Sequence, residues 1–122
     1  MFKLVLACPG AEFKGRLSSK FKTPYHLKGK WEVGVTKLRL DRSFNMVLCC
    51  DLVRYTHVGD QRMRFLDFYD HQDDAHNPKP SYVSVANKRF DSINVDLLRY
   101  PELTSPIDST SDVICVLHFR KS

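Results

Sequence analysis

The chain has 122 residues, of which 43% are hydrophobic and 27% are charged, and its formal net charge is +5. These values are typical of a globular protein with a single core. No apolar run approaches the length of a membrane-spanning helix, and the apolar stretch at residues 1–8 is too short and too interrupted for a signal peptide. We therefore expect no membrane association, no secretion and a reducing compartment.

Apolar and polar residues alternate along most of the chain, which is the pattern of β-strands with one buried and one exposed face. No stretch has the apolar spacing of an amphipathic helix. The alternation predicts eight strands, in chain order residues 1–8, 20–25, 31–40, 45–53, 63–69, 82–86, 90–98 and 112–120. The turns predicted between them include residues 26–30, 41–43 and 57–60.

Three of these strands carry signs of their place in a sheet. Pro24 cannot donate a ladder hydrogen bond, so its strand suits a sheet edge. The apolar phase of strand 31–40 changes half-way, which predicts a β-bulge near Thr36–Lys37 or a strand that changes sheets. The last strand is apolar on both faces, so we expect it to be central or covered.

Short strands at this spacing are typical of sandwiches and barrels. Long connections at residues 8–19, 70–80 and 99–111 favour a two-sheet Greek-key sandwich over an up-and-down barrel. The sequence therefore predicts an all-β protein, a single eight-stranded antiparallel β-sandwich of jelly-roll (Greek-key) topology that spans residues 1–122. The residues expected to mark its core are Trp31, Val33, Val35, Phe90, Ile93, Val95, Leu117 and Phe119.

The four cysteines have neither the spacing of a zinc site nor that of a disulfide framework. Cys49 and Cys50 are adjacent in a predicted strand, so their side chains point to opposite faces. We expect Cys8, Cys49, Cys50 and Cys115 to be free thiols, buried or half-buried.

Positive charge is concentrated in the first third of the chain. Residues 1–42 hold ten Lys and Arg against three Asp and Glu, whereas residues 43–122 hold nine against eleven. A basic segment can bind nucleic acid or an acidic partner, but charge runs without interleaved aromatic residues are most often solvated surface. The candidate basic face consists of Lys14, Arg16, Lys20, Lys22, Lys28 and Lys30.

Aspartate and histidine residues cluster in the predicted loop 70–80. Such side chains can bind zinc or a hard cation, but their spacing matches no calcium loop, so a solvated loop is the favoured interpretation. No nucleophile–base pair or phosphate loop is recognisable, so neither an enzyme nor a cofactor is expected. We expect His118 to be a hydrogen-bonded residue rather than a catalyst. The metal candidates are Asp70, His71, Asp73, Asp74 and His76.

Four short segments form an ordered series across the chain. They are Gly-Lys-Trp-Glu-Val-Gly-Val at 29–35, Cys-Asp-Leu-Val with Val-Gly-Asp at 50–60, Tyr-Val-Ser-Val with Phe-Asp-Ser-Ile-Asn-Val-Asp at 82–96, and Val-Leu-His-Phe-Arg at 116–120. They resemble the segments G-x-W-E-V-G-L, C-D-[IL]-V … V-G-D, Y-V-P-V … F-D-T-I-x-I-D and T-L-H-F-R of short proteins from Polinton (Maverick) elements and the related adintoviruses. The resemblance covers nearly the whole chain, although residues 7–10 and 100–106 depart from the family's pattern.

The resemblance implies a structural virion protein, the penton-like minor capsid protein that closes the fivefold vertices of an icosahedral capsid as a single jelly roll. Its implied partners are copies of itself, in a homopentamer, and the major capsid protein. Its implied location is the virion, after synthesis in the host cytoplasm or nucleus. Apolar residues on both faces of 47–53 and 113–119 also predict cover by loops or by a neighbouring copy. The alternative is a domesticated jelly-roll module that uses segment 14–42 to bind nucleic acid or an acidic protein.

Overall fold

The protein was analysed as a computed structural model that describes residues 1–40, 44–70, 80–103 and 111–122. The alternation of the sequence appears as ten strands and one 3₁₀ turn, with no α-helix in these ranges. In chain order they are β1 (Phe2–Cys8), the 3₁₀ turn (Gly10–Glu12), β2 (Arg16–His26), β3 (Trp31–Arg39), β4 (Met46–Cys50), β5 (Thr56–Val58), β6 (Gln61–Met63), β7 (Phe65–Tyr69), β8 (Val83–Ser84), β9 (Arg89–Arg99) and β10 (Val113–Lys121).

Eight of the strands form two antiparallel sheets that pack against each other. Sheet 1 has the order β1-β10-β3-β8, and sheet 2 has the order β2-β9-β4-β7. Strands β5 and β6 pair only with each other, as a hairpin. The predicted all-β sandwich is therefore confirmed. The prediction of a simple turn at residues 57–60 is wrong, since this segment lies within the hairpin. The sequence did not reveal the hairpin because each of its strands is only three residues long and carries almost no alternation.

The core lies between the two sheets and contains the inward-facing residues of both. Each large apolar side chain that is removed from water there contributes roughly 1.5–3 kcal/mol. Trp31 is half-buried and packs against the rim of the core rather than within it. The other seven residues that were expected to mark the core are buried: Val33, Val35, Phe90, Ile93, Val95, Leu117 and Phe119.

Stacked aromatic rings close one end of the sandwich. Phe2 stacks on Phe119 with centroids 4.7 Å apart and on Tyr25 at 5.2 Å. Tyr25 in turn stacks on Phe90 at 5.3 Å. These rings come from β1 and β10 of sheet 1 and from β2 and β9 of sheet 2, so they hold the two sheets together. The connections 27–30 and 85–88 pass from one sheet to the other at this end.

Three details of strand placement follow the sequence. The last strand, β10, lies between β1 and β3, as its two apolar faces predict. The β10–β3 register shifts between Val116, which pairs with Lys37, and Leu117, which pairs with Val35, so Thr36 is the extra residue of the predicted bulge. The strand that contains Pro24 is at an edge of sheet 2.

Several predicted boundaries are wrong. Strand β2 begins at Arg16, so residues 8–19 are not one long connection. The strand predicted at 45–53 ends at Cys50, and the one predicted at 82–86 is reduced to Val83–Ser84 and an isolated bridge from Val85 to Val53. The predicted turn 41–43 and most of the connections 70–80 and 99–111 lie outside the described residues.

The chain itself covers the second apolar face of β4. Val47 is fully buried and Cys49 is 7% exposed on the outer side of sheet 2, where they pack with Leu103. Val58 and Met63 of the hairpin lie over them. Cys50 belongs to the core between the sheets, so the two neighbouring thiols do point to opposite faces. All four cysteines are free, as expected.

Candidate functional site

Three of the four motif segments meet on the outer face of sheet 1. The hydroxyl of Tyr82 and Nδ1 of His118 are hydrogen-bonded at 2.7 Å, so His118 has the hydrogen bond expected of it. The guanidinium of Arg120 lies 3.5 Å from the centre of the Tyr82 ring, and its Nε donates to Oε1 of Glu32 at 2.5 Å. Strands β3 and β10 are thereby linked to the segment that leads into β8.

Gly34 lies beneath the Tyr82 ring of this cluster. A Cβ at this position would lie 3.1 Å from Cδ1 of Tyr82 and 3.2 Å from the carbonyl oxygen of Ser81. The Tyr82 ring therefore packs directly on the β3 backbone, and any larger residue would push it away. This contact helps to hold β8, which has only two residues, at the edge of sheet 1.

The remaining motif contacts lie on sheet 2. The backbone N–H and the side-chain amide of Asn94 donate to the two carboxylate oxygens of Asp51 at 3.1 and 3.0 Å. Arg16 donates to both carboxylate oxygens of Asp96 at 2.6 and 3.2 Å, which raises the pKa of Arg16. The hydroxyl of Ser18 donates to Oδ1 of Asn94 at 2.6 Å. A row of paired polar groups thus crosses from β2 over β9 to the end of β4.

A cleft of about 340 Å³ separates this polar row from the hairpin. The guanidinium groups of Arg62 and Arg64 lie 4.6 and 4.5 Å from the centre of the Tyr55 ring, and Arg64 also donates to the carbonyl oxygen of Asp51 at 2.7 Å. The hydrogen bond and charge of Arg64 lower the pKa of Tyr55. The Cys49 thiol lines the cleft, but burial raises its pKa to about 11, so at neutral pH it is protonated and a poor nucleophile.

A second cleft, of about 420 Å³, lies at the aromatic end of the sandwich. Lys30, Arg54 and Lys88 line it together with Trp31 and the last residue, Ser122. Backbone hydrogen bonds hold the cleft's walls in place. The Ser122 N–H donates to the carbonyl oxygen of Lys30 at 3.0 Å, and the Val85 N–H donates to that of Trp31 at 2.9 Å.

The candidate basic face is not one compact patch. All six of its residues are exposed, but Lys14 precedes β2 and Lys28 follows it, so the eleven residues of this strand, roughly 33 Å long, separate them. Of the six, Arg16 is paired with Asp96, and Lys30 lines the second cleft.

Sequence reasoning missed the other cations of the two clefts, namely Arg54, Arg62, Arg64 and Lys88. The available signal was the pairing of a cation with an aromatic neighbour, in Lys30–Trp31 and Arg54–Tyr55. Aromatic rings interleaved with cations are more typical of nucleic-acid binding than lysines alone.

The proposed metal loop is represented by Asp70 alone, which is half-buried just after β7. His71, Asp73, Asp74 and His76 lie outside the described residues. Within the described ranges, no group of three or more His, Cys, Asp or Glu side chains is arranged to hold a metal ion. The same ranges contain no helix that is long and apolar enough to cross a membrane.

The motif residues thus have contacts of their own. Gly34, Tyr82 and His118 hold strands of sheet 1 together, and Asp51 and Asn94 join two strands of sheet 2. Their contacts between strands explain the motif residues by the stability of the fold, without a catalytic role. No protein-family model matches the chain, and neither does any curated protein or solved structure.

Proposed function

We propose that the protein is a structural capsid protein, the penton-like minor component that closes fivefold vertices beside a major capsid protein. The strand order carries the proposal. Apart from the hairpin, the first strand lies beside the last, the second beside the seventh, the third beside the sixth and the fourth beside the fifth. This order supports the wrapping of a jelly roll, a fold found in many viral capsid proteins and also in lectins and cupins.

The motif contacts support the capsid assignment within that fold class. The segments that resemble the Polinton and adintovirus proteins supply the side chains that fasten β8 to sheet 1 and β4 to β9. They therefore act as determinants of the sandwich itself, as expected where the folded domain is the functional unit. In an enzyme or a ligand-binding protein of the same fold, the characteristic residues would instead be expected to line a cleft.

The outer face of sheet 1 supports self-association. Val5 is 64% exposed and faces outward on β1, which is an edge strand. Val5 pairs with Val116, and Ala7 pairs with Ile114, which gives an apolar outer strip along the edge strand of sheet 1. On sheet 2, by contrast, the outward-facing Val47 and Cys49 are already covered by the hairpin and Leu103. A head-to-tail contact on the outer strip can close into a ring by rotation, as a fivefold vertex requires.

The test is the mass of the protein against its concentration, by sedimentation or native mass spectrometry, with and without the major capsid protein. We expect a closed ring with about five times the 14.2 kDa mass of one chain, either alone or on entry into assembled particles. A strict monomer at high micromolar concentration that also stays out of particles would end the capsid proposal.

A pair of variants locates the contact. Val5→Lys places a charge in the outer strip and is expected to weaken association without unfolding the chain, because Val5 is already mostly exposed. Thr23→Lys adds the same charge at the exposed edge of β2 and should leave association unchanged. Equal masses for the two variants would show that the outer strip is not the contact.

A further inference from the structure

Five cations and two aromatic rings form one continuous surface at the end of the sandwich. The cleft lined by Lys30, Arg54 and Lys88 adjoins a further one of about 340 Å³, with which it shares Arg54. The further cleft is lined by Tyr55, Arg62 and Arg64, so the basic surface continues along the hairpin. We call this surface the basic end; it consists of Lys30, Trp31, Arg54, Tyr55, Arg62, Arg64 and Lys88.

No cation of the basic end forms an ion pair with an Asp or Glu side chain among the residues that the structure describes. The ion pairs between described residues are Arg16–Asp96 and Arg120–Glu32, and neither involves the basic end. No Asp or Glu side chain of the described chain lines the cleft at Lys30 or the one it adjoins. Arg62 and Arg64 also line the first cleft, whose lining includes Asp51 and Asp96, whereas Lys30, Arg54 and Lys88 line clefts without a carboxylate. Such a concentration of cations favours the binding of an anionic polymer.

The two rings of the basic end are held in place. Trp31 donates from Nε1 to the carbonyl oxygen of Lys28 at 2.9 Å and packs against Phe2, with ring centroids 5.7 Å apart. Tyr55 is 50% exposed, and the guanidinium groups of Arg62 and Arg64 lie over its ring. An exposed ring among cations, such as Tyr55, can stack on a base while the cations bind phosphates, which is how single strands are held without sequence preference.

We propose that the basic end binds single-stranded nucleic acid, with phosphates on Lys30, Arg54 and Lys88 and with bases stacked against Tyr55 and its arginines. The rings favour a single strand over an acidic peptide, which has no bases to stack. They also disfavour a duplex, whose bases are stacked on one another. This inference goes beyond the capsid role and does not depend on ring formation, since every residue of the surface belongs to one chain.

Binding is measured by fluorescence anisotropy with a labelled oligothymidylate of about 15 nucleotides, between about 50 and about 200 mM salt. The variant Arg54→Ala/Lys88→Ala is expected to bind roughly tenfold more weakly, and the salt slope should fall by about 1.4, since each phosphate contact on a single strand contributes about 0.7. Tyr55→Leu should lose roughly tenfold in affinity with the salt slope unchanged, because it removes stacking and no charge.

The matched control is Lys20→Ala/Lys22→Ala, which removes the same charge from the exposed face of β2. It should stay within about twofold of the parent in affinity, because these lysines lie outside the basic end. Thermal unfolding of every variant checks that the fold is intact. The inference is overturned if the parent fails to bind, or if both double variants lose affinity equally. It is also overturned if a duplex or a polyglutamate peptide of equal charge binds more tightly than the oligothymidylate.

Discussion

Replacing Gly34 with alanine tests the cluster that joins three of the motif segments. The new Cβ would lie 3.1 and 3.3 Å from two carbons of the Tyr82 ring and 3.2 Å from the carbonyl oxygen of Ser81, where ordinary contact begins at 3.4 Å. The ring cannot retreat freely. Its hydroxyl is hydrogen-bonded to His118 at 2.7 Å, and the guanidinium of Arg120 lies 3.5 Å from its centre.

Two opposing effects set the size of the change. Overpacking of this kind costs about 1–3 kcal/mol. Alanine in a strand recovers about 0.5–1 kcal/mol, because glycine loses more backbone entropy on folding. We therefore expect Gly34→Ala to lower the free energy of unfolding by about 1–2 kcal/mol, with a fall in Tm of roughly 4 °C for each kcal/mol.

The assay is urea unfolding followed by the fluorescence of Trp31, the only tryptophan of the chain. In the background Tyr82→Ala, the ring is gone and Gly34→Ala should cost about 1 kcal/mol less than in the parent. In the background Tyr82→Phe, the ring remains and the full cost should persist. A neutral or stabilising Gly34→Ala, or the same cost in both backgrounds, would refute the packing argument.

Phe119→Ala should lower the free energy of unfolding by about 3–5 kcal/mol, because it removes a fully buried ring that stacks on Phe2. Lys20→Ala on the exposed face of β2 should change this free energy by no more than about 0.5 kcal/mol, and urea midpoints compare the two variants. Burial raises the pKa of Cys115 from 9.0 to about 12. The stability linked to this thiol is therefore present below pH 9 and is lost as the pH rises toward 12, so Cys115→Ala should flatten the alkaline fall in unfolding free energy. Thiol titration should find four groups in denaturant and, in the native protein, half-buried Cys8 reacting first; two or fewer in denaturant would contradict the free-thiol structure.

The long strands could be predicted because their apolar residues alternate with period two. In β9, Ile93, Val95 and Leu97 are fully buried, as the alternation with polar residues requires. The change of apolar phase in β3 likewise predicted the bulge at Thr36, since one extra residue reverses which face the following side chains occupy.

The hairpin could not be predicted because its stability comes from packing rather than from local pattern. Its strands, Thr56–Val58 and Gln61–Met63, are too short to show a period, and only Val58 and Met63 join the cluster on sheet 2. The sequence predicted that loops or a neighbouring copy would cover the second apolar face of 47–53. This hairpin and Leu103 cover it. That face therefore needs no neighbouring copy to cover it, whereas the outer strip on sheet 1 is an exposed apolar surface.

The basic end was missed because its charges come together only in the folded chain. The candidate face at 14–42 was grouped by proximity in sequence, yet strand β2 carries Lys14 and Lys28 to opposite ends of the sandwich. Arg54 and Lys88 reach Lys30 because Val53 bridges to Val85 and the Leu27 N–H bonds to the Lys88 carbonyl. These pairings are long-range, and composition alone carries no information about them.

Two adjacent thiols of β4 are shielded by different parts of the molecule. Cys49 lies beneath the hairpin and Leu103, whereas Cys50 lies between the sheets. We expect opening of the hairpin to expose the Cys49 thiol but not the Cys50 thiol, which should become accessible when the sheets separate. Alkylation rates at the two positions therefore report two opening free energies, a local one for the hairpin and a global one for the sandwich. We therefore expect the hairpin to open as a separate cooperative unit while the sandwich beneath it stays folded.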